Sequence, residues 1–451
     1  MLVPDIPEFA GTGGPVRSYQ FIQMLAEHSD VTILVFNHEQ TNGDIDRLRQ
    51  AGVKIIFAEP QTQSNALPSR HFRSIRNLIF GFRDHGRQWC IWATSLCVWR
   101  QKSTATPSWT KRLQAKILLR FIAIFQRPLR FYPTDVLLRQ QHWDSLKKNI
   151  TGVSADVIWC EHSYLYPLAV EAKAECQATT IVMNCHNVEW ILKQSIAQNA
   201  QNRLTQQHGL LEAQRLKSWE SQMLDGSDVI LCCSDADKVE FQHLAPAAAS
   251  RIHVAPNGVD TSHYTNHINH DSKHTILFTG TAGYPPNDEA VNWLVHEIFP
   301  AVRKAISTAK LIIAGRNAAK HWADHAQTPG LKIVSDVPDM RELFCEATIC
   351  VAPLKSGSGT RLKILEAISS HRAVVSTTIG AEGLHLKTES EILIRDTAEE
   401  FAKGIIQLLT DPETQQQIAA NGRAAAVHRF DWSFITMQAA KTLCSTGILS
   451  K

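Results

Sequence analysis

The stretch ATICVAPLKSGSGTRLKILEA, residues 347–367, joins an apolar run to a Gly/Ser loop and then to a helical pattern. The run ATICVAP has the length and the branched side chains of a strand that is buried on both faces of a parallel sheet. The helical pattern begins near Thr360, directly after the glycines. This order of strand, glycine-rich loop and helix is typical of an α/β sheet that binds an anion where the helix starts.

The same alternation of short apolar runs and longer helical patterns extends over most of the chain. A first series of strand-like runs lies at residues 31–36, 53–58, 156–161, 179–185 and 228–233. A second series follows the polar stretch 261–273, at residues 275–280, 309–315, 331–334, 347–353, 373–377 and 391–394. The sequence therefore predicts an α/β protein with two doubly wound, Rossmann-like domains facing each other across a cleft.

The domain boundaries follow from this alternation. We expect an N-terminal domain over residues 1–262, a C-terminal domain over residues 263–429, and a final helix over residues 430–451 that returns to the first domain. The opening MLVPDIP leaves little room for a first strand, which indicates either a misplaced start or a short strand at the sheet edge. Ligands of open parallel sheets bind beyond the carboxyl ends of the strands, so candidate residues should follow strands.

The overall composition is that of a folded, reduced protein. The 451 residues are 44% hydrophobic and 20% charged, which excludes wholesale disorder, collagen and a coiled coil. Ten cysteines without a Cys-x-x-Cys pair indicate free thiols in a reducing compartment. No run reaches the roughly 18 apolar residues of a membrane span, and the start has no signal-peptide pattern. We therefore expect a cytoplasmic protein.

One segment, residues 61–150, carries an excess of positive charge. It contains 16 Lys and Arg against three Asp, a net charge of +13, whereas the whole chain has a net charge of only +3. Within it, an apolar helical stripe runs beside three basic residues, Arg112, Lys116 and Arg120; the stripe consists of Leu113, Ile117, Phe121, Ile124 and Phe125. Such a helix either binds an anionic membrane surface, on the inner face of the membrane, or only packs on the N-terminal domain. No nucleic-acid-binding signature accompanies the charge, so nucleic acid is not an expected partner.

The loop and helix after the strand at 347–353 hold the residues best suited to bind a phosphate. Gly357 and Gly359 allow the backbone to approach an anion, and Arg361 or Lys363 adds positive charge. Glu366 lies one helical turn further and has the chemistry to accept hydrogen bonds from two ribose hydroxyls. The alternative is an ordinary surface pair of Lys363 and Glu366, which would contribute little.

Nine motifs in a fixed order give the chain its resemblance to a known family. They are GTGGPVRSYQFIQML (11–25), CHNVE (185–189), SDVILCCSDAD (227–237), HVAPNGVD (253–260), FTGTAGYPPNDEAV (278–291), IIAGRN (312–317), SDVPDMREL (335–343), GSGTRLKILEAI (357–368) and VVSTTIGAEGL (374–384). Over nearly its whole length the chain resembles the retaining, GT-B-fold glycosyltransferases of family 4. The resemblance implies a nucleotide-sugar donor on the C-terminal domain and an acceptor on the N-terminal domain.

The resemblance also implies a role for particular residues. Glu366 would bind the ribose, the loop from Ser358 to Leu362 the diphosphate, and His186 the transferred sugar. The implied donor-binding residues are Gly13, Gly14, Arg17, Gly280, Ser358, Gly359, Thr360, Arg361, Leu362 and Glu366. The implied catalytic residues are His186, Arg316 and Lys363. The plain alternatives are a helix-starting turn for the two glycines, a satisfied polar histidine for His186, and solvated arginines at 17 and 316.

Two departures from the family pattern concern the donor. Position 358 is serine where many members have the first of two glutamates, and the loop TAGYPPN after Gly280 lacks the commonest Arg–Lys pair. Arg316, Arg361 and Lys363 are candidates to replace that pair.

The expected reaction is transfer of a hexosyl-type unit with retention, by front-face attack, to a lipid-linked or polysaccharide precursor. No cofactor and no metal are expected, because the two Asp-x-Asp pairs, at 44–46 and 235–237, are best explained as structural, the second at a helix start after Ser234. Three other classes compete with this expectation: a non-catalytic nucleotide-sugar-binding partner, a sugar-nucleotide epimerase on the same fold, and, least supported, a dehydrogenase read from GTGG.

Overall fold

The computed structural model describes residues 1–5, 7–8, 13–37, 43–57, 147–199, 203–264, 274–356 and 361–449. The expectations for the basic segment therefore fall almost entirely outside the described residues, as do Ser358, Gly359 and Thr360. The described part forms two parallel sheets flanked by helices, which is the GT-B architecture expected from the sequence.

The first sheet has seven described strands in the order β3-β2-β1-β4-β5-β6-β7, and every pairing is parallel. The strands are β1 (Leu2–Asp5), β2 (Thr32–Asn37), β3 (Lys54–Phe57), β4 (Val157–Glu161), β5 (Thr180–Asn184), β6 (Val229–Cys232) and β7 (Ile252–Val254). The helices are α1 (Gly13–Ala26), α2 (Gly43–Gln50), α3 (Tyr166–Glu175), α4 (Glu189–Gln198), α5 (Arg203–Gly226) and α6 (Asp235–Leu244). The expectation of an edge position for the first strand is wrong, because β1 pairs with β2 on one side and β4 on the other.

The second sheet has six described strands in the equivalent order β10-β9-β8-β11-β12-β13, again all parallel. The strands are β8 (Thr275–Thr279), β9 (Lys310–Gly315), β10 (Leu331–Ser335), β11 (Ile349–Ala352), β12 (Ala373–Ser376) and β13 (Leu393–Ile394). The helices are α7 (Pro285–Trp293), α8 (Phe299–Ala305), α9 (Ala318–His321), α10 (Met340–Glu346), α11 (Leu362–Ser369), α12 (Ala398–Thr410) and α13 (Pro412–Ala425). Because strand order reverses between β8 and β11, this sheet opens its own ligand crevice there.

Each sheet is buried on both faces, as parallel sheets require. The sheet strands alternate their side chains between two apolar clusters: Ile230 and Met183 face one side of the first sheet, and Leu231 and Val182 face the other. The helix α14 (Trp432–Ser445) packs against α1, so the end of the chain lies on the N-terminal sheet. The chain crosses between the two domains twice, near Val259 and near Phe430. The two crossings lie side by side, because the Val259 N–H donates to the Phe430 carbonyl at 2.8 Å.

The Asp-x-Asp pair at 235–237 has the structural role expected of it. Ser234 caps α6 by accepting a hydrogen bond from the Asp237 N–H at 3.0 Å, and its hydroxyl donates back to the Asp237 carboxylate at 2.8 Å. Both acidic residues lie in the first helical turn, where the helix dipole favours negative charge.

Candidate functional site

A cavity of about 930 Å³ lies between the carboxyl ends of the two sheets. Both domains line it, as expected for the crevice of two open parallel sheets. Of the predicted site residues, the cavity brings together Gly14, His186, Gly280, Arg316, Arg361, Leu362, Lys363 and Glu366. Gly13 lies at the first position of α1, directly before Gly14.

The residues of the C-terminal domain that line the cavity form its C-terminal wall, and those of the N-terminal domain form its N-terminal wall. Two glycines of the C-terminal wall, Gly280 and Gly315, lie where two strands end. Gly280 follows β8 and Gly315 ends β9, and a Cβ atom on Gly315 would clash with the Gly280 carbonyl. A Cβ atom on Gly280 would lie 2.8 Å from the side chain of Asn287, which α7 presents. Only glycine fits at both positions, so the ends of β8 and β9 approach each other closely beside the cavity.

Lys363 is held by the domain core and is not part of a surface ion pair. Its Nζ donates to Asn287 Oδ1 at 2.9 Å and lies 4.2 Å from the centre of the Phe278 ring. Burial, together with the charge of Arg361, lowers the pKa of Lys363 to about 7. The alternative of an ordinary surface pair with Glu366 is wrong, because each of the two side chains has a different partner.

Glu366 faces the cavity from the second turn of α11. Its Oε1 accepts a hydrogen bond from the Tyr264 hydroxyl at 3.2 Å. Burial raises the pKa of Glu366 to about 7, although the Tyr264 hydrogen bond and the Lys363 charge oppose the rise. Tyr264 itself is 8% exposed and packs edge-on against Phe344, so its hydroxyl is fixed in place.

Two arginines add positive charge to the C-terminal wall. Arg361 precedes the first residue of α11, and burial lowers its pKa. Arg316 follows β9, and within the described residues its guanidinium makes no hydrogen bond or ion pair with the protein. The N-terminus of α11 therefore has cationic side chains beside it, an arrangement that favours an anion.

The N-terminal wall is built on a buried carboxylate, that of Glu161 at the end of β4. It accepts hydrogen bonds from His186 Nε2 at 2.6 Å, Trp159 Nε1 at 2.6 Å, Asn184 Nδ2 at 3.1 Å and Ser18 Oγ at 3.1 Å. Burial alone would raise the pKa of Glu161, but these hydrogen bonds hold it below its usual value. The residue is an ionised anchor for His186.

His186 is 7% exposed and reaches the cavity after β5. Burial lowers the pKa of His186, and the Arg17 charge lowers it further, against the opposing effect of Glu161. His186 is therefore a neutral imidazole at neutral pH. Its contact with Glu161 fits the alternative of a satisfied polar histidine, while its place in the cavity wall fits the sugar contact that the resemblance implies.

Arg17 is not among the residues that line the cavity, and the alternative of a solvated arginine is wrong. The side chain is fully buried, so it is not a solvated arginine. Its guanidinium donates to Asn184 Oδ1 at 2.7 Å, to Asn257 Oδ1 at 3.0 Å and to the Pro256 carbonyl at 3.1 Å. Arg17 joins α1 to the last residue of β5 and to the segment after β7.

A second buried carboxylate supports the same wall from behind. Glu220 of α5 is fully buried and accepts hydrogen bonds from the backbone N–H groups of Glu189 and Trp190, at 3.1 and 3.0 Å. It thereby caps the N-terminus of α4, which follows the cavity residue Asn187. Burial raises the pKa of Glu220 to about 8, and the Glu189 charge adds to the rise.

Among the cavity residues that sequence reasoning missed are His162, Tyr264 and Asn287. His162 follows β4 directly, so the rule that functional residues follow strands could have found it. The other two gave no comparable signal. Tyr264 lies between the sheets and Asn287 inside α7, and each acquires a role only through its partner, Glu366 or Lys363.

No helix among the described residues is long and apolar enough to span a membrane. This finding concerns only the parts of the chain given above and does not include the basic segment.

Two family models match the chain in succession. Residues 73–263 match Glycosyltransferase Family 4, and residues 273–411 match Glycosyl transferases group 1. An uncharacterised 44.6 kDa protein in the cps region of Klebsiella pneumoniae is 22% identical over 318 residues, which are 68% of this chain and 78% of that protein.

Solved structures share the fold at low sequence identity. HepE from Anabaena, in complex with UDP-glucose, is 13% identical with a TM-score of 0.61, over 98% of this chain and 99% of that chain. WaaG, a glycosyltransferase involved in lipopolysaccharide biosynthesis, is 12% identical with a TM-score of 0.56, over 98% of this chain and 99% of that chain. These similarities show the fold.

Proposed function

Because the chain belongs to the group 1, family 4 glycosyltransferases, we propose that it transfers a hexosyl-type sugar from a nucleotide sugar to an acceptor with retention of configuration. One observation carries the proposal: a single cavity joins a cationic helix N-terminus and the carboxylate of Glu366 to the neutral imidazole of His186. The first two suit a nucleoside diphosphate, and the third suits an uncharged sugar.

The C-terminal wall would bind the nucleotide and stabilise its departure. Glu366 accepts hydrogen bonds from the ribose hydroxyls, while the N-terminus of α11, Arg361 and Lys363 face the diphosphate. Arg316 adds a cation that has no competing protein partner among the described residues. As the bond to the sugar breaks, negative charge grows on the diphosphate, and these fixed positive groups stabilise it without reorganisation.

The surroundings of the Glu161 carboxylate favour front-face attack by the acceptor over a covalent intermediate. Glu161 lies behind the imidazole and is bound by four donors, so it offers no free nucleophile for a covalent intermediate. In the proposed reaction the leaving phosphate takes the proton of the acceptor hydroxyl. Neither a metal nor a cofactor has a step in this scheme.

We propose a lipid-linked or polysaccharide precursor as the acceptor, in keeping with the lipopolysaccharide role of WaaG, and a cytoplasmic enzyme whose basic segment binds the inner face of the membrane. Washing membranes with high salt checks the second point. Release of the protein by salt supports it, and a fully dissolved protein at low salt contradicts it.

Nucleotide binding tests the donor site. Thermal shift with UDP, GDP, ADP, CMP and dTDP compares the wild type with Glu366→Ala and with the exposed control Glu342→Ala. We expect one nucleotide to stabilise the wild type and the control but not Glu366→Ala. If none stabilises the wild type at millimolar concentration, the donor site is refuted.

Turnover separates the proposed enzyme from its alternatives. Release of the nucleoside diphosphate from the matching nucleotide sugar, with the product anomer read by NMR, supports a retaining transferase. Binding without release supports a non-catalytic partner, and a new sugar still attached to the nucleotide supports an epimerase.

A further inference from the structure

Two imidazole rings lie side by side in the N-terminal wall of the cavity. His162 follows β4 and His186 follows β5, and their ring centres are 3.8 Å apart. A Cβ atom placed on Gly14 would lie 3.5 Å from His162 Nε2 and 3.5 Å from His186 Nδ1. One nitrogen of each ring therefore faces the same small volume beside Gly14, at the edge of the cavity.

Glu161 determines which nitrogen of His186 carries the proton. The carboxylate is fully buried and bound by four donors, so it is ionised and accepts from His186 Nε2 at 2.6 Å. A neutral imidazole has one N–H, and that N–H points at Glu161. His186 Nδ1, which faces Gly14, is left as a hydrogen-bond acceptor.

Burial determines which ring nitrogen of His162 carries the proton. Its Nδ1 is inaccessible to solvent and has no hydrogen-bond partner among the described residues. Burial holds the pKa of His162 well below its usual value, so this ring is also neutral. A buried donor without a partner is rarer and costlier than a buried acceptor, so the proton lies on Nε2. His162 Nε2, which faces Gly14, is a donor.

The backbone at His162 is strained in a way that holds its ring in this place. Its φ is 67° and its ψ is 141°, a backbone conformation that residues other than glycine rarely adopt. The His162 N–H donates to the Asn184 carbonyl at 3.0 Å, and its ring stacks on Tyr164. Such strain persists where the surroundings enforce it, and it concentrates at functional sites.

We propose that His162 and His186 together bind one hydroxyl group of the transferred sugar. His162 Nε2–H donates to the hydroxyl oxygen, and the hydroxyl proton is donated to His186 Nδ1. A hydroxyl is the small neutral group that both donates and accepts through one atom, so it satisfies both nitrogens. A deoxy position would leave both unpaired. This inference rests on the proposed function. It adds His162 as a sugar-binding residue, and it makes Glu161 the residue that positions His186.

Calorimetry can isolate the contribution of the sugar. The affinities of UDP-glucose and GDP-mannose are compared with those of UDP and GDP, in the wild type, in His162→Phe, and in the control His253→Phe outside the cavity. Phenylalanine retains the stacking on Tyr164 but removes both nitrogens. In the wild type and the control, we expect the nucleotide sugar to bind more tightly than the free nucleotide. In His162→Phe, the affinity for the nucleotide sugar should be about threefold to tenfold lower than in the wild type. The affinity for the free nucleotide stays unchanged.

A second variant guards against misfolding of the first. Gly14→Ala places a methyl in ordinary contact with both nitrogens, and Gly14 is not among the positive-φ glycines, so this variant should fold. It should lose the sugar contribution as well. In the wild type, ¹⁵N NMR should show both rings neutral and protonated at Nε2.

The outcomes separate this inference from the proposed function. If the sugar raises affinity in the wild type and in His162→Phe alike, the hydroxyl site is refuted while the transferase proposal survives. An Nδ1–H tautomer at His162 also refutes it. If neither nucleotide sugar and none of the five nucleotides of the thermal-shift test binds the wild type, both proposals fail together.

Discussion

The two walls of the cavity solve different recognition problems. Besides Glu8, the N-terminal wall presents two neutral imidazoles to the cavity, and it holds the charges of Glu161 and Arg17 in the interior. The C-terminal wall presents cationic side chains to the cavity, with Arg361 and Lys363 at a helix N-terminus and Arg316 after β9. Under the proposed function, the difference means that a sugar hydroxyl is recognised by fixed tautomers, which need buried anchors, whereas a diphosphate is recognised by cationic side chains that line the cavity.

Removal of the buried cation of the N-terminal wall should have the largest effect. We expect Arg17→Met to lower the free energy of unfolding by about 3 kcal/mol, because it strands the buried oxygens of Asn184, Asn257 and Pro256. Urea unfolding measures the change, with the exposed Arg215→Met as the control. A variant of normal stability that binds the nucleotide poorly would restore Arg17 as a donor contact and break the comparison.

Removal of a cation from the C-terminal wall should act on binding alone. We expect Arg316→Ala to lower the affinity for the nucleoside diphosphate that stabilises the wild type about tenfold to a hundredfold. Stability should not change, because the guanidinium has no protein partner among the described residues. The matching nucleoside, which lacks phosphates, should bind equally well to both proteins. Calorimetry measures both affinities, and Lys310→Ala, on an exposed residue, is the control. Loss of stability without loss of diphosphate affinity would contradict this assignment.

The acid behind the N-terminal wall should make stability depend on pH. Glu220 has a folded pKa of about 8, raised from 4.5 in the unfolded chain, so its contribution is complete below pH 4.5 and declines as the pH rises to 8. Glu220→Gln does not titrate; its single oxygen can accept from only one of the two N–H groups, and that loss is the same at every pH. We expect the wild type to lose about 2 kcal/mol relative to this variant between pH 6 and pH 8.

Urea unfolding at several pH values measures this difference, and Glu175→Gln, on an exposed residue, is the control. A stability difference that does not change with pH would mean that Glu220 is ionised in the folded protein.

The smallest effect concerns a single hydroxyl of the C-terminal wall. Tyr264→Phe removes the hydrogen bond that opposes the raised pKa of Glu366, which is about 7 in the wild type. The pKa of Glu366 should rise further, so nucleotide affinity at pH 7 should fall about threefold and recover at higher pH, where Glu366 ionises. Calorimetry across pH 6 to 9 measures this, with Tyr166→Phe in the other domain as the control. A uniform loss at every pH would indicate a packing defect.

The fold could be predicted almost entirely from the sequence, because parallel strands buried on both faces are continuous apolar runs. The runs at 31–36 and 275–280, for example, correspond to β2 and β8. The position of β1 could not be predicted from its four residues, since its place between β2 and β4 depends on pairing with residues far along the chain.

The candidate site could be predicted only where chemistry follows a strand or starts a helix. Glu366 was found in this way, whereas His186 and Arg316 were implied by the family resemblance; the cavity contains all three. Arg17 was misplaced because a helical arginine near a glycine pair gives no sign of whether it points outward or inward. Its burial depends on Asn184 and Asn257, which are distant in sequence.

The sequence by itself determined the two α/β domains, the helix start after the Gly/Ser loop and the identity of eight cavity residues, because these features are encoded in local periodicity and in motif order. Only the tertiary structure decided the chemical state of those residues. The imidazole tautomers follow from Glu161 and from burial, and the raised pKa of Glu366 follows from its place in the wall. Protonation depends on solvent exclusion and on partners from other strands, and neither is a local property of the chain.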